Sequence, residues 1–179
     1  MNKKLILIPI ICLFSLSAYA NQGNAPSGAF GINFGEKLSN LKVIEKLSLT
    51  SGKPLYKVKA PAPLKNTLEE YYVIVTPKTQ EVHTIWGDTY YQRSERDKCQ
   101  ANKDNIVSLL ENKYGESKPA TDFNVYNDRK IEVGDVSIYA TCKDLGSLLS
   151  IRYFNNSLIE KNEKEEKELL LEKTDASML

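Results

Sequence analysis

The chain is poor in the residues that carry most protein chemistry. Its 179 residues include one histidine, His83, one tryptophan, Trp86, and three cysteines. A zinc site takes about four ligands, commonly histidine or cysteine, and the sequence cannot supply them. His83 as a general base would need a nucleophile, a metal-bound water or a second acid beside it. No serine lies in a nucleophile elbow and no second histidine exists. The glycines of "AFGINFG", residues 29–35, are followed by no Gly-Lys-Ser/Thr, so a phosphate loop is excluded. "YNDRKIEVGD" has too few spaced oxygens for a calcium loop. Charge is balanced, 24 basic against 23 acidic residues, and nothing in it points to nucleic acid or an anionic membrane. The expectation is a protein with no catalytic residue, no cofactor and no metal. The one catalytic alternative is a two-carboxylate hydrolase site, with acids such as Asp88, Glu95 and Asp97 brought together by the fold.

What is present begins with "MNKKLILIPIICLFSLSAYA", residues 1–20. Lys3 and Lys4 precede a short apolar run from Leu5 to Leu16, and Ala18-Tyr19-Ala20 supplies a small-x-small cleavage signal. That is the plan of a secretory signal peptide. The run falls short of the roughly 20 residues that cross a bilayer, and no second span follows. Cys12 lacks the small residues that precede a lipid-modified cysteine. Cleavage after Ala20 leaves 159 of the 179 residues, starting at Asn21, and removing two lysines leaves 22 basic against 23 acidic. The periplasm or the exterior is the expected compartment. Cys99 and Cys142 then remain, and an even count in an oxidising compartment reads as one disulfide. A C-x-x-C redox motif is absent.

Residues 21–28 read as a loose leader, 29–155 as a single domain and 156–179 as a charged tail, helical or partly disordered. "AFGINFG" alternates Phe30, Ile32 and Phe34 with small residues, a strand pattern. "EKLSNLKVIEKL" places Leu38, Leu41, Ile44 (or Val43) and Leu47 at weak helical spacing, which suggests a short helix or turn. "KPLYKVKA" gives a short strand, and Pro61 to Pro63 break it. The apolar run "LEEYYVIVT", residues 68–76, and "EVHTIWGDTYY", residues 81–91, form an expected antiparallel hairpin. "SERDKCQANKDNIVSLLENKYGE" is the clearest helix, with Ser94 as cap and Tyr114-Gly115 as stop. Cys99, Ile106, Leu109, Leu110 and Tyr114 share its apolar stripe. After Pro119, "FNVYN", "KIEV", "VSIYATC" and "SLLSIRYF" read as strands. Alternation puts Cys142 on the core face with Val136, Ile138 and Ala140. The tail carries Glu160–Lys164 and Glu163–Lys167 pairs, and Leu169 to Leu171 could dock on the body or on a partner. The fold class is α+β, an antiparallel sheet of about five to seven strands with one main amphipathic helix across a face.

His83 and Trp86 are three apart in a strand and are expected on opposite faces, Trp86 with Val82 and Thr84, His83 with Ile85. Which face is buried stays open. An inward Trp86 is core. An outward Trp86 joins Tyr90, Tyr91 and Arg93, residue types that anchor protein interfaces, with Tyr139, Arg152 and Tyr126 as possible additions.

The signal, "AFGINFG", "YYVIVTPKTQEV" and the cysteine-bearing helix ending in "KYG" together resemble segments of small exported proteins of Gram-negative bacteria. The resemblance implies the compartment and the mixed fold, and carries no activity or site residue. A small, stapled, β-rich domain without catalytic motifs suits recognition of another envelope protein, as an immunity protein or enzyme inhibitor. A hydrolase or an accessory part of an envelope assembly is the alternative.

Overall fold

The computed structural model describes residues 24–120, 128–143 and 146–177. The signal segment and "FNVYN" lie outside these. Among the described residues, ten strands and two α-helices follow one another. A small ribbon pairs β1 (Gly28–Ala29) with β2 (Ile32–Asn33). The main sheet is antiparallel and eight-stranded, one more than the sequence suggested, in the order β3-β4-β5-β6-β10-β9-β8-β7. Its members are β3 (Val43–Ser48), β4 (Pro54–Val58), β5 (Glu70–Val75), β6 (Val82–Tyr90), β7 (Lys118–Pro119), β8 (Arg129–Val133), β9 (Val136–Lys143) and β10 (Leu148–Asn155). α1 (Arg96–Tyr114) follows a 3-10 turn at Arg93–Glu95, and α2 (Asn156–Ser177) ends the described chain.

One face of the sheet carries the main core, with Val73, Ile85, Ile138, Leu149 and Ile151 at its centre. α1 covers this face over β8, β9 and β10. Its buried residues are Cys99, Lys103, Ile106, Val107, Leu110 and Tyr114. Cys99 bonds to Cys142 on β9 with Cα atoms 6.1 Å apart, so helix and sheet are stapled as their two periodicities implied. Two details of the stripe differ. Leu109 is 66% exposed, and Val107 fills the flank expected of it. The helix is entered through the 3-10 turn, where Glu95 accepts the Gln92 N–H at 3.2 Å, instead of through a Ser94 cap. Gly115, at φ +104°, stops the helix by donating its N–H to Glu111 O.

The other half of this face is covered by the N-terminal ribbon. The expected strand at 29–35 is a tight hairpin instead: Phe30 and Gly31 take φ of +55° and +81°, the primed turn geometry that suits a two-residue loop. The turn places Phe30 edge-on to Tyr71 at 5.0 Å and to Tyr153 at 5.6 Å. Gly87 in β6 permits this packing. A Cβ there would stand 2.7 Å from Leu68 Cδ1, 3.2 Å from Tyr71 and 3.4 Å from Phe30. The weak helical reading of residues 38–47 holds only for a 3-10 turn at Leu38–Asn40; β3 follows as an edge strand. Pairing with β4 there overrides a weak local preference.

α2 lies on the opposite face against β6 and β10. Leu170 and Leu171 do not hold it, being 66% and 57% exposed, and Leu158 and Leu169 are half-buried. Glu165, almost fully buried, accepts the Lys78 and Thr79 N–H groups at 2.7 and 3.1 Å and the Thr79 hydroxyl at 2.7 Å. Lys161 pairs with Glu81 at 2.6 Å, and Lys53 with Glu166 at 2.8 Å. The helix thus clamps the two hairpin turns at 49–53 and 76–81 by polar contacts. Glu165→Ala leaves the two N–H groups and the hydroxyl without their acceptor. It is expected to cost about 2 kcal/mol in urea unfolding and to raise amide exchange along α2.

Candidate functional site

The α2 face of the sheet organises its side chains into rows, because directly opposed residues of neighbouring strands point the same way. One row runs Lys57, Tyr72, Trp86, Arg152, Tyr139, Lys130 across β4, β5, β6, β10, β9 and β8. Cations and aromatic rings stack along it. The Arg152 guanidinium sits 4.4 Å from the Trp86 ring centroid, and Lys130 Nζ lies 5.4 Å from that of Tyr139. Tyr72 and Trp86 are 5.6 Å apart and close a second apolar cluster with Leu55. Trp86 is therefore core, only 7% exposed, and is not a free interface anchor. Tyr139 is likewise buried and packs edge-on to Phe154 at 5.4 Å. Tyr126 is outside the described residues.

The neighbouring row runs Glu70, Asp88, Ser150, Thr141. Asp88 is almost fully buried, and its carboxyl is pushed above the usual range by burial, against a Ser150 hydrogen bond and the Arg152 charge. Glu70 is held below the usual range by hydrogen bonds from Lys57 and from the Tyr72 hydroxyl. Two facing carboxyls with opposite shifts are the arrangement that separates an acid from a base. Sequence reasoning missed Glu70, since only strand register sets it opposite Asp88. Its chosen acids do not converge. Glu95 is taken by Gln92 N–H and by Lys98 at 2.6 Å, and Asp97 is exposed in the first turn of α1. Among the described residues, no group of three or more His, Cys, Asp and Glu side chains could hold a metal. A buried lysine interrupts the α1 stripe: Lys103, 1% exposed, has its ammonium pKa lowered by burial, against the charges of Asp104 and Asp128.

His83 occupies a β-bulge. Ile74 faces Thr84 and Val75 faces Val82, which leaves His83 without a partner on β5. The bulge corrects the expected alternation: Val82 and Ile85 both enter the main core, while Trp86 belongs to the cluster on the α2 face. His83 is 6% exposed, with Nδ1 2.9 Å from Thr84 Oγ1. Burial pushes its pKa down to about 4, helped by Lys53 and opposed by Glu166. It is a neutral, covered side chain.

The remaining expected contacts lie at the far end of β6. Its first eight residues are buried, and its last, Tyr90, is 60% exposed. Tyr90 faces the half-buried Leu148 across β10, and Arg93 is exposed in the 3-10 turn that follows. Tyr91 is half-buried and structural: its N–H donates to Ser147 O at 2.7 Å, and its hydroxyl accepts from Asn102 Nδ2 at 2.7 Å. The fold thus separates the four expected anchors into a core residue, a bracing residue and two that reach solvent. No family model, curated protein or solved structure matches the chain. No helix among the described residues is long and apolar enough to cross a membrane, and the internal disulfide fits an oxidising compartment.

Proposed function

We propose that the chain is a non-catalytic protein-binding module of the bacterial envelope, periplasmic after loss of its first twenty residues, of the immunity-protein or enzyme-inhibitor kind. The observation that carries this reading is the exposed end of β6. An aromatic side chain, 60% exposed, ends a strand whose other eight residues are buried, and an exposed arginine follows it. The tip is braced by Tyr91 and leads directly into the disulfide-bonded helix. A rigid mount lets a tyrosine and an arginine contribute contact area with little loss of conformational freedom.

The test is capture from a periplasmic extract followed by titration of variants against the recovered partner. Tyr90→Ala and Arg93→Ala are each expected to weaken binding by about 2 kcal/mol, roughly thirtyfold, with unchanged unfolding curves. Equal affinity for both variants and the wild type would remove this surface from the reading.

A second reading rests on Asp88 and Glu70, whose opposed shifts suit a carboxylate-pair hydrolase acting on envelope glycans. Against it, Asp88 is 5% exposed and Glu70 is engaged by Lys57 and Tyr72. Turnover of cell-wall glycan that is lost in Asp88→Asn would establish this reading over the first.

A further inference from the structure

β3 is the outer strand of the sheet, and five of its six residues are exposed. Val43 and Ile44 are 40% and 60% exposed, unusual for large apolar side chains on an edge. The region around it is one-sided in charge. Between positions 37 and 65 the sequence places seven lysines against a single acid, Glu45. Three of the lysines have ion-pair partners, Lys37 with Glu81, Lys53 with Glu166 and Lys57 with Glu70, and Lys46 lies over the Tyr56 ring at 5.9 Å. Lys42, Lys46, Lys59 and Lys65 are exposed and form no ion pair among the described residues. Lys59 N–H donates to Lys42 O at 2.9 Å, so two unpaired lysines face each other where β3 begins. Like charges placed opposite each other destabilise a strand pair, and an anion between them removes the cost. At the same end a cavity of about 590 Å³ is lined by Lys37, Leu38, Leu41, Val43, Thr79 and Gln80.

We infer that β3 is a docking edge for an extended acidic segment of a partner protein. The segment adds as a further strand, places its carboxylates toward Lys42, Lys46 and Lys59, and lays alternate apolar side chains against Val43, Ile44 and the Leu38–Leu41 groove. Main-chain hydrogen bonds to an open edge supply affinity, and side-chain pockets at alternate positions supply choice. A second copy of this chain is a poor occupant, because pairing β3 with itself brings Lys42 and Lys46 toward lysines of the same set. The inference rests on the binding-module reading and adds a surface to it, on the outer strand β3, three strands from β6 in the sheet.

The experiment uses the full exported chain with its disulfide intact. The probe is a fluorescein-labelled peptide of alternating glutamate and valine; the controls are alternating lysine and valine, and the acidic peptide with a central proline. Anisotropy is expected to show binding of the acidic peptide alone, weakened about tenfold between roughly 50 and 300 mM salt. The double variant Lys42→Glu/Lys46→Glu should lose at least tenfold in affinity while keeping its unfolding midpoint, since both side chains are exposed. Hydrogen exchange should slow at Val43–Ser48 in the complex. Binding of neither peptide, equal binding of the acidic and basic peptides, slowed exchange elsewhere than β3, or a peptide-independent dimer through β3 each overturns the inference. In those cases the edge lysines serve only to keep strands apart. The two proposals fail separately: a captured envelope partner that tolerates Lys42→Glu/Lys46→Glu but not Tyr90→Ala removes the edge and leaves the module.

Discussion

Replacing Cys99 and Cys142 together by alanine is expected to lower the unfolding free energy by about 4 kcal/mol. The magnitude follows from a cross-link between positions 43 apart, which removes loop-closure freedom from the unfolded chain. The bond also joins two layers that have little else in common in sequence. Cys99 is fully buried in the first turns of α1, and Cys142 sits near the end of β9 against the same core. The measurement is urea unfolding of wild type, of wild type under reductant and of the double variant, all at one pH. Reductant and double substitution should give similar losses, and a loss below about 1 kcal/mol would mean that α1 is held by its apolar stripe alone. The Tyr90 surface should survive under conditions where the variant remains folded, because β6 is hydrogen-bonded between β5 and β10.

The second large effect is in acid. His83 has a pKa of about 4 in the folded chain, lowered first by burial and then by Lys53. In the unfolded chain it titrates near 6.5. Between these values the unfolded state holds the extra proton, so stability rises with pH across this window. The contribution is fully present above about pH 6.5 and is lost as pH falls through about 4, on the order of 3 kcal/mol in all. Lys53 and Glu166 are the charged groups that act on the ring, with opposite signs. Paired carboxylates such as Glu70 and Glu81, whose pKa values are lowered by their lysine partners, also lose stabilisation, but at the lower end of this range. Comparison with His83→Gln isolates the histidine: the variant should lack the slope between about pH 6.5 and 5 that the wild type shows. An imidazole titrating near 6.5 by NMR in the folded protein would refute the account. Partner capture at neutral pH should be unchanged in His83→Gln, because the side chain is covered and remote from the exposed end of β6.

Local pattern alone determined a good part of this protein. The helix at 96–114 has Asp97 in its first turn, an apolar stripe and a glycine stop, all within one segment, so no distant contact was needed to specify it. The β5–β6 hairpin and the strands from Arg129 to Asn155 are dense in β-branched and aromatic residues with period two, and they form where expected. Cys99 and Cys142 each sat on a face that periodicity aimed inward, and their bridge follows from that agreement.

Only the tertiary structure decided the rest, and in each case a long-range partner outweighed the local preference. β3 became a strand because β4 pairs with it, against a weak helical spacing. The one-residue bulge at His83 exchanged the faces expected from Val82 onward, since alternation has no memory across an inserted residue. The charge pairs of the tail were legible, but whether it was helical or partly disordered was not, and its docking through Glu165 depends on backbone N–H groups of a turn 86 and 87 positions away. Trp86 and Asp88 took their surroundings from strands whose register no single segment encodes: Tyr72 and Glu70 on one side, Arg152 and Ser150 on the other. Periodicity reports which face a residue shares with its neighbours in the chain. Register, bulges and the docking of α2 determine what that face meets, and these arise from pairing between distant segments.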